Sequence, residues 1–406
     1  MSFFKKNIVI VSSIVLSAFL GFFTQKLIVI ILSVEDYARY DLALSVVGVF
    51  NGMLTVGFIN YYKKRSIKSS STYHSLLNPY HFLILCSNAM VTGVGILVIS
   101  IFYPLSMLSV LSLTLIHLSF LLFEFKKTSL NLTGRYQLYA LYNVIPSSFF
   151  LVFLLLILYV FKHIHQEVVL LSLALAYGVV ILSIAPKIYR LSFGRIKKLF
   201  CTGRKFLIPI FLYSILSWAN ENLGKFYLKA HGVGLFEIGQ YIAIYALVSK
   251  IVFTSAVGFN YVITEKLFQK RIDKTSILNI FFLYLIFSFA ILAVFSFFPK
   301  IIIKLFLSEN YVLYSSLCIY ISFAALTIKA IHMVENYFVR IGKTQYSLYG
   351  FIVLIVSYLF FLYIKKDQTI VWICQSQVYA SIISLLFVVG IGAYKTVQEK
   401  NFRKQS

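Results

Sequence analysis

Twelve apolar stretches occupy almost the whole chain, and each is long enough to cross a bilayer as a helix. A helix rises about 1.5 Å per residue, so roughly 20 apolar residues cross a hydrocarbon core about 30 Å thick. Charged residues make up 12% of the chain, whereas a soluble domain has about 25%. The sequence therefore predicts an all-α, polytopic membrane protein of about 12 transmembrane helices. The predicted spans are 8–32, 38–62, 79–102, 104–125, 137–161, 166–188, 206–229, 238–262, 277–298, 311–338, 344–364 and 369–394.

The basic residues are distributed unevenly between the two sides of the membrane that these spans define. The net charge is +24, and 26 of the 37 Lys and Arg residues fall at the two termini and in alternate connections. Because cytoplasmic loops of multi-pass proteins carry an excess of Lys and Arg, both termini are predicted to be cytoplasmic. The same residues attract anionic lipid headgroups. Topology thus accounts for the charge, and we expect membrane lipids as partners and no nucleic acid.

Three short segments in the second half of the chain match segments in the first half, in the same order and at equivalent places in a six-helix unit. The matched pairs are 36–40 with 237–241 at an offset of 201, 102–104 with 297–299 at 195, and 134–137 with 342–345 at 208. Many secondary transporters contain such duplications. The repeat predicts two six-helix lobes, 1–195 and 196–406, related by a pseudo-two-fold axis along the membrane normal. The basic segment 189–205 is the predicted cytoplasmic linker.

These junction segments resemble a known family. The stretch Ile31–Tyr40 is similar to the L-G-x-x-x-[YF]-[GA]-x-Y junction between the first two helices of bacterial polysaccharide flippases. The stretches Phe206–Pro209, Trp218–Asn222 and Glu237–Tyr241 are similar to the seventh and eighth helices of that family, whereas Ser308 departs from its G-x-x-Y turn. The resemblance covers nearly the full length. It is to the O-antigen and capsule flippases of the multidrug/oligosaccharidyl-lipid/polysaccharide exporter superfamily.

The resemblance implies a function, which is an expectation at this point. Members of the family carry undecaprenyl-diphosphate-linked oligosaccharides across the bacterial inner membrane by alternating access of two six-helix lobes. The chain would then be a secondary transporter and not an enzyme. Its cargo would be a lipid-linked oligosaccharide, it would need no cofactor, and H⁺ or Na⁺ would be the coupling ion if there is one. A polysaccharide polymerase and a chain-length regulator would be its protein partners.

Lysines inside the spans are the candidates for binding the diphosphate, because charges in membrane helices are costly and tend to face a hydrated cavity. Lys250 lies near the middle of span eight, roughly 18 Å from either end, too far for its ammonium to reach the interface easily. Lys26 and Lys225 lie within about six residues of their outer helix ends. Spans one, two, seven and eight line the central cavity in the family resembled. The alternatives are a buried ion pair for Lys250 and snorkelling to the interface for Lys26 and Lys225.

Span seven carries a second group of candidates at helical spacing. Four polar or aromatic residues follow the pattern i, i+3, i+4, i+7, which places them on one face of a helix; they are Trp218, Glu221, Asn222 and Lys225. We predict that Trp218 and Asn222 contact sugar and that Glu221 exchanges a proton or a cation. The alternative is a self-neutralising pair of Glu221 with Lys225.

Span ten carries a similar stripe, formed by Lys329, His332 and Glu335. Lys329 and Glu335 are candidates for glycan binding or ion coupling. Because the stripe lies toward the cytoplasmic half of the span, structural pairing with Arg340 is an equal alternative.

Two other function classes remain open. A drug/cation antiporter of the same superfamily would need acidic residues deep in the first lobe, where spans one, two, three, five and six contain only Asp41 and Glu167, each near a helix end. An O-antigen polymerase or ligase would present a large periplasmic loop, and the outer connections here are all short. The four cysteines have no metal-ligand spacing, so no metal site is predicted. His117 is expected to be a core histidine, and Glu124 to form an ion pair at a helix end.

Overall fold

The chain folds into long helices in the computed structural model, which describes residues 3–48, 93–94, 106–132, 135–160, 164–183, 193–267, 274–340, 345–364 and 369–405. Within these ranges the backbone is helical apart from short connections, and no β-strand occurs. The helices are α1 (Phe3–Ile31), α2 (34–48), α3 (Met107–Leu132), α4 (Tyr136–Val160), α5 (Gln166–Ser183), α6 (Phe193–Ala230), α7 (Leu235–Leu267), α8 (Lys274–Phe297), α9 (Pro299–Phe306), α10 (Leu317–Arg340), α11 (Gln345–Ile364) and α12 (Ile370–Gln405). A 3₁₀ helix, Glu309–Tyr314, lies between α9 and α10.

The prediction of an all-α, multi-pass membrane protein is confirmed. Eight of the described helices are long and apolar enough to cross a membrane. On several of them large apolar side chains are exposed, as helices in contact with lipid require; Phe289, in the middle of α8, is 71% exposed. The predicted span 79–102 lies outside the described residues except for 93–94, as does the second half of span 38–62.

Several boundaries differ from the predicted ones. Helix α6 begins at Phe193, where we expected a loop up to residue 205, so most of the basic linker is helical. Lys and Arg are good helix formers, and a helix can therefore continue beyond its apolar run. Helix α12 likewise continues past residue 394 to Gln405. The tenth span begins at Leu317 and not at 311, because the preceding residues form the 3₁₀ helix.

The chain divides into two compact units, Met1–Trp218 and Ala219–Ser406. In the first unit, α3 packs on α5, α4 packs on α5 and α3 contacts α4. In the second unit, the helices at the equivalent places in the repeat, α10, α11 and α12, pack in the same three pairs. The predicted limits of the lobes, 1–195 and 196–406, stay a prediction.

The first and seventh spans also make equivalent contacts within their units. In the first unit α1 packs on α4, where Asn143 Nδ2 donates a hydrogen bond of 3.2 Å to Ser13 Oγ. In the second unit α6 reaches α11, where the Tyr227 hydroxyl donates to the Leu362 carbonyl at 3.3 Å. The pattern of helix pairs is therefore repeated, as a duplicated chain predicts.

The first matched pair of segments occupies equivalent places in the structure. Asp36 is the third residue of α2 and Glu237 is the third residue of α7. A carboxylate in the first turn is favourable because it faces the positive end of the helix dipole. Each of these carboxylates is followed four residues later by a buried tyrosine, Tyr40 in α2 and Tyr241 in α7. In α2, Ser33 caps the helix by accepting a hydrogen bond from the Asp36 N–H at 3.1 Å. The other two matched pairs lie partly outside the described residues.

An aromatic cluster fills part of the first unit. Phe123 stacks on Tyr142 at 6.1 Å between ring centroids, and Tyr177 meets Phe123 edge to face. One turn of helix away, Lys127 donates to the Glu124 carboxylate, and its ammonium also lies over the Phe123 ring. The expected ion pair of Glu124 at a helix end is therefore confirmed. His117 is fully buried in α3, in agreement with its interpretation as a core residue.

Candidate functional site

Charged side chains of α6 and α10 interact in the second unit, and α7 carries a further lysine. Glu221 and Lys225 lie on α6, Lys250 lies on α7, and Lys329 and Glu335 lie on α10. All five were candidates from the sequence. Charges within apolar spans are costly unless they are paired or hydrated, so their arrangement indicates what this unit does.

Glu221 lies among cations from two helices. Its side chain is exposed, whereas Asn222 and Lys225 on the same helix are buried. Its carboxylate attracts Lys225 most strongly among its charged neighbours, followed by Lys329 and His332 of α10. Charges of two helices therefore act on Glu221, and the alternative of a self-neutralising pair with Lys225 stays a prediction.

Lys329 is held between opposite charges and an aromatic ring. Its ammonium lies 4.0 Å from the centroid of the Phe253 ring of α7, a cation–π contact. It is also attracted by the carboxylates of Glu221 and Glu335. Lys250 lies three residues before Phe253 on α7, so it neighbours this contact on the same helix face. Lys250 itself is half-buried. Lys250 thus lies one helical turn from the ring that Lys329 contacts.

Glu335 and His332 form a pair on α10. His332 Nδ1 lies 3.0 Å from Glu335 Oε2, and the histidine ring stacks on Phe351 of α11 at 5.7 Å between centroids. Glu335 is 5% exposed. The predicted stripe therefore exists, with His332 as a partner of Glu335; the side chain of Arg340, the partner considered from the sequence, lies outside the described side chains.

Trp218 is the last residue of the first unit and precedes Glu221 on α6 by three residues. Its indole Nε1–H donates a hydrogen bond of 2.6 Å to the Ser45 carbonyl of α2. Its ring lies beside Gly48, where an added Cβ atom would be 3.6 Å from the ring. Because the N–H is engaged with the backbone, the ring face is the part of Trp218 that a sugar would contact. Lys26, also in the first unit, is half-buried near the end of α1.

A buried hydrogen-bond network joins α6, α7 and α12, and sequence reasoning missed it. Gln377 Nε2 lies 3.0 Å from the Asn220 carbonyl, 3.3 Å from Asn220 Oδ1 and 3.2 Å from the Tyr245 hydroxyl. Gln377 is 1% exposed. The sequence contained one indication of this network, the side-chain amide of Gln377 within the apolar run of α12, because polar groups inside a membrane need partners. The network fixes the turn of α6 that precedes Glu221.

Gly224 allows a further close contact on α6. An added Cβ atom would lie 2.7 Å from the Tyr241 hydroxyl and 3.0 Å from the Tyr358 hydroxyl. Both tyrosines are 1% exposed, so they have little room to move. Gly224 therefore lets α7 and α11 approach the backbone of α6 between Glu221 and Lys225.

Metal ligation has little support in these residues. Within the described ranges, no group of three or more His, Cys, Asp or Glu side chains could hold a metal ion. The absence of metals and cofactors stays a prediction, as does the role of each candidate site residue.

The fold defines a class of membrane protein. No protein-family profile matches the sequence, and no curated protein sequence matches it. Among solved structures, the lipid II flippase MurJ in an inward closed conformation has a TM-score of 0.69 at 18% identity, over 94% of this chain and 87% of that one. An inward-facing multidrug resistance MATE family transporter of the MOP superfamily has a TM-score of 0.66 at 12% identity, over 95% of each chain. A MATE structure in complex with MaL6 has a TM-score of 0.69 at 15% identity, over 96% of each chain.

These similarities span nearly the whole of each chain. The protein therefore shares the fold of these solved structures. Identities of 12–18% show a common fold and do not show which function the chain has.

Proposed function

We propose that this protein is a flippase that moves an undecaprenyl-diphosphate-linked oligosaccharide, an O-antigen or capsule repeat unit, across the bacterial inner membrane by alternating access. It would be a secondary transporter with both termini in the cytoplasm. Its fold is shared with a lipid II flippase, which supports a lipid-linked cargo. It would act beside a polysaccharide polymerase and a chain-length regulator.

One observation carries the proposal, the excess of cations among the charged residues of the second unit. Leaving aside the first and last turns of α6, α7 and α10, the lysines of these helices in the second unit, Lys225, Lys250 and Lys329, outnumber the carboxylates, Glu221 and Glu335. Keeping an excess positive charge within apolar spans is costly. A diphosphate offsets that cost, because charge-assisted hydrogen bonds to phosphate are roughly twice as strong as neutral ones.

The geometry suggests how the cations would act on such a cargo. Lys329 rests on the Phe253 ring and is attracted by Glu221. An arriving diphosphate competes with Glu221 for Lys329, while Lys250 on the neighbouring turn of α7 supplies a second ammonium. Glu221 would then be the group that exchanges H⁺ or Na⁺ during the cycle. The ring of Trp218 would contact sugar, and Asn222, which is buried in this structure, would have to become accessible during the cycle to do the same.

A cation-coupled drug antiporter is the second candidate, because two of the similar structures belong to MATE transporters. The exposed carboxylate of Glu221 favours it, since an organic cation needs an accessible anion. Against it, Glu35, Asp36 and Glu167 lie in the first turns of their helices, and Glu124 is paired with lysine. Asp41, two turns into α2, is the acidic residue of the first unit that such an antiporter would use. A membrane polymerase or ligase has no support in the fold.

Reconstitution of the purified chain tests the proposal. Vesicles would contain undecaprenyl-diphosphate-trisaccharide with a fluorophore on the sugar, and membrane-impermeant dithionite would bleach the outer leaflet. We expect the bleached fraction to rise from about half to nearly all when the protein is present. Fluorescent phosphatidylcholine should stay half-bleached in parallel vesicles, which excludes general lipid scrambling.

Two results would contradict this proposal. No movement of the lipid-linked sugar, with uptake of ethidium driven by a pH gradient, would establish the antiporter. Equal movement of phosphatidylcholine and the sugar lipid would mean that the diphosphate is not recognised.

A further inference from the structure

The short helix α9 of the second unit has no equivalent among the residues of the first unit that the structure describes. The matched prolines Pro104 and Pro299 follow spans three and nine, yet the next long helix begins at Met107 in the first unit and at Leu317 in the second. The repeat offset rises accordingly from 195 to 208. The extra residues are therefore not needed to complete a six-helix unit, and their properties point to a separate role.

Helix α9 and the 3₁₀ helix are held in a fixed orientation on the second unit. Ile303, Leu307 and Tyr311, spaced by four residues, are 0–1% exposed. The side-chain amide of Gln240 donates a hydrogen bond of 2.6 Å to the Asn310 carbonyl, which joins the segment to the start of α7. Because one side is anchored, the remaining sides of α9 have fixed directions.

Those remaining sides are of two chemical kinds. At about 100° per residue, Ile301 and Leu305 share the sector of α9 opposite buried Ile303, and Lys300 and Lys304 share the sector between Ile303 and that apolar pair. Lys300 is exposed, and the Lys304 side chain is 54% exposed. Ile301 and Leu305 are 62% and 58% exposed. We call these pairs the cationic sector and the apolar sector.

The position of α9 relative to a membrane span indicates what the two sectors contact. Helix α9 follows directly on α8, whose apolar run ends at Phe297. Phe297 and Phe298 are 78% and 52% exposed, and aromatic residues favour the membrane–water interface. A helix with an apolar face and a lysine face at this level is typical of one that lies in the plane of the interface.

We propose that α9 lies in the membrane interface, with its apolar sector among the acyl chains and its cationic sector bound to the phosphates of anionic phospholipids. The lysine stems extend along the helix while the ammonium groups reach the headgroups. Glu309 opposes this attraction in part, because its carboxylate accepts a hydrogen bond from Lys304 at 2.7 Å. The proposal is independent of the transported cargo.

Site-directed fluorophores test the placement. In a full-length background in which the four cysteines are replaced, single cysteines at positions 300, 301, 304 and 305 would carry bimane in vesicles. Phe289→Cys, exposed in the middle of α8, is the lipid control, and Glu309→Cys, whose side chain is 81% exposed, is the water control. We expect labels at 301 and 305 to be quenched by acyl-chain nitroxide lipids, and labels at 300 and 304 by both lipid nitroxide and aqueous iodide.

Two quenching patterns would overturn the placement. Quenching of all four labels by iodide alone would show that α9 stands in water. Protection of positions 301 and 305 from both quenchers would show that protein, such as a second copy of the chain, covers the apolar sector.

A second measurement tests the headgroup contact. Quenching of a label at 305 by nitroxide phosphatidylglycerol would be compared with quenching by nitroxide phosphatidylcholine. We expect preference for the anionic lipid, lowered by roughly two- to fivefold for each of Lys300→Gln and Lys304→Gln. Glu309→Gln is the matched control and should increase the preference, since it removes the competing carboxylate. The same preference for phosphatidylglycerol over phosphatidylcholine in the wild type and in all variants would refute binding of anionic headgroups by these lysines.

Discussion

The side-chain amide of Gln377 lies 3.0 Å from the backbone carbonyl of Asn220, 157 residues earlier in the chain. The contact is fully buried and joins α12 to α6 one residue before Glu221. The Tyr245 hydroxyl of a third helix, α7, lies 3.2 Å from the same amide. The charged residues of α6 are therefore positioned by a network that does not itself contain a charge.

Replacing Gln377 by Ala should lower the free energy of unfolding by about 1–2 kcal/mol, because a buried carbonyl and a buried hydroxyl lose a donor. Thermal unfolding of the detergent-solubilised protein measures the loss. Gln345→Ala is the matched control, since Gln345 is exposed at the start of α11. Equal melting temperatures for the two variants would refute a structural role of the network.

Gly224→Ala should also destabilise the protein. An added Cβ atom would lie 2.7 Å from the Tyr241 hydroxyl and 2.9 Å from Ile373 Cγ2, and such overpacking costs about 1–3 kcal/mol. Gly390→Ala is the control, because nothing lies within 4 Å of its added Cβ atom and alanine favours a helix. Tyr241→Phe should restore part of the stability of Gly224→Ala. If Tyr241→Phe does not restore any stability to Gly224→Ala, the contact with the Tyr241 hydroxyl is not the cause of the destabilisation.

The sequence predicted elements that depend on local composition and missed those that depend on long-range contacts. Long apolar runs located most described spans within a few residues, because a membrane helix must satisfy its backbone internally. Helix α9 was missed, since eight residues give no periodic signal and it follows an apolar span directly. The pairing of Gln377 with Asn220 was missed because nothing local relates two amides so far apart. Lys329 was predicted as a polar candidate, whereas its contact with Phe253 required the packing of α7 on α10.

Lys304 should control the titration of Glu309, which lies outside the membrane spans. The hydrogen bond from the Lys304 ammonium, and then its charge, hold the pKa of the Glu309 carboxyl below its ordinary value of 4.5. A lowered pKa means that the pair stabilises the segment above about pH 4.5 and that this contribution is lost as the pH falls through the folded-state pKa. Because the carboxylate is exposed, salt should weaken the effect.

Carboxyl ¹³C shifts of labelled glutamate measure this pKa, with Glu309→Gln to assign the signal. In Lys304→Gln, the Glu309 pKa should rise toward its ordinary value, while Lys300→Gln should change it less. Identical titration midpoints with and without Lys304 would contradict the ion pair.

Membrane topology follows from the charge distribution and is still a prediction. Single cysteines replacing Ser69 and Ser192, which lie outside the described residues, should not react with an impermeant maleimide added to intact cells, because their Lys- and Arg-rich segments are predicted to be cytoplasmic. A cysteine at Glu309, on the predicted outer side, should react. The reverse pattern would invert the assignment of both termini.

Lys250 is predicted to be required for transport. It lies on α7 three residues from Phe253, the ring that holds Lys329, and a cation this far from either helix end is too costly to keep without a hydrated or anionic partner. Lys250→Ala should therefore abolish flipping of the diphosphate-linked sugar in vesicles, while the protein remains inserted and melts near the wild-type temperature. Lys250→Arg should retain part of the activity, since it keeps the charge with a different geometry. Lys229→Ala, near the end of α6, is the matched control and should flip normally. Normal flipping by Lys250→Ala would show that Lys250 is not part of the binding site. The flippase proposal itself is tested separately, by the flipping of the sugar lipid by the wild-type protein.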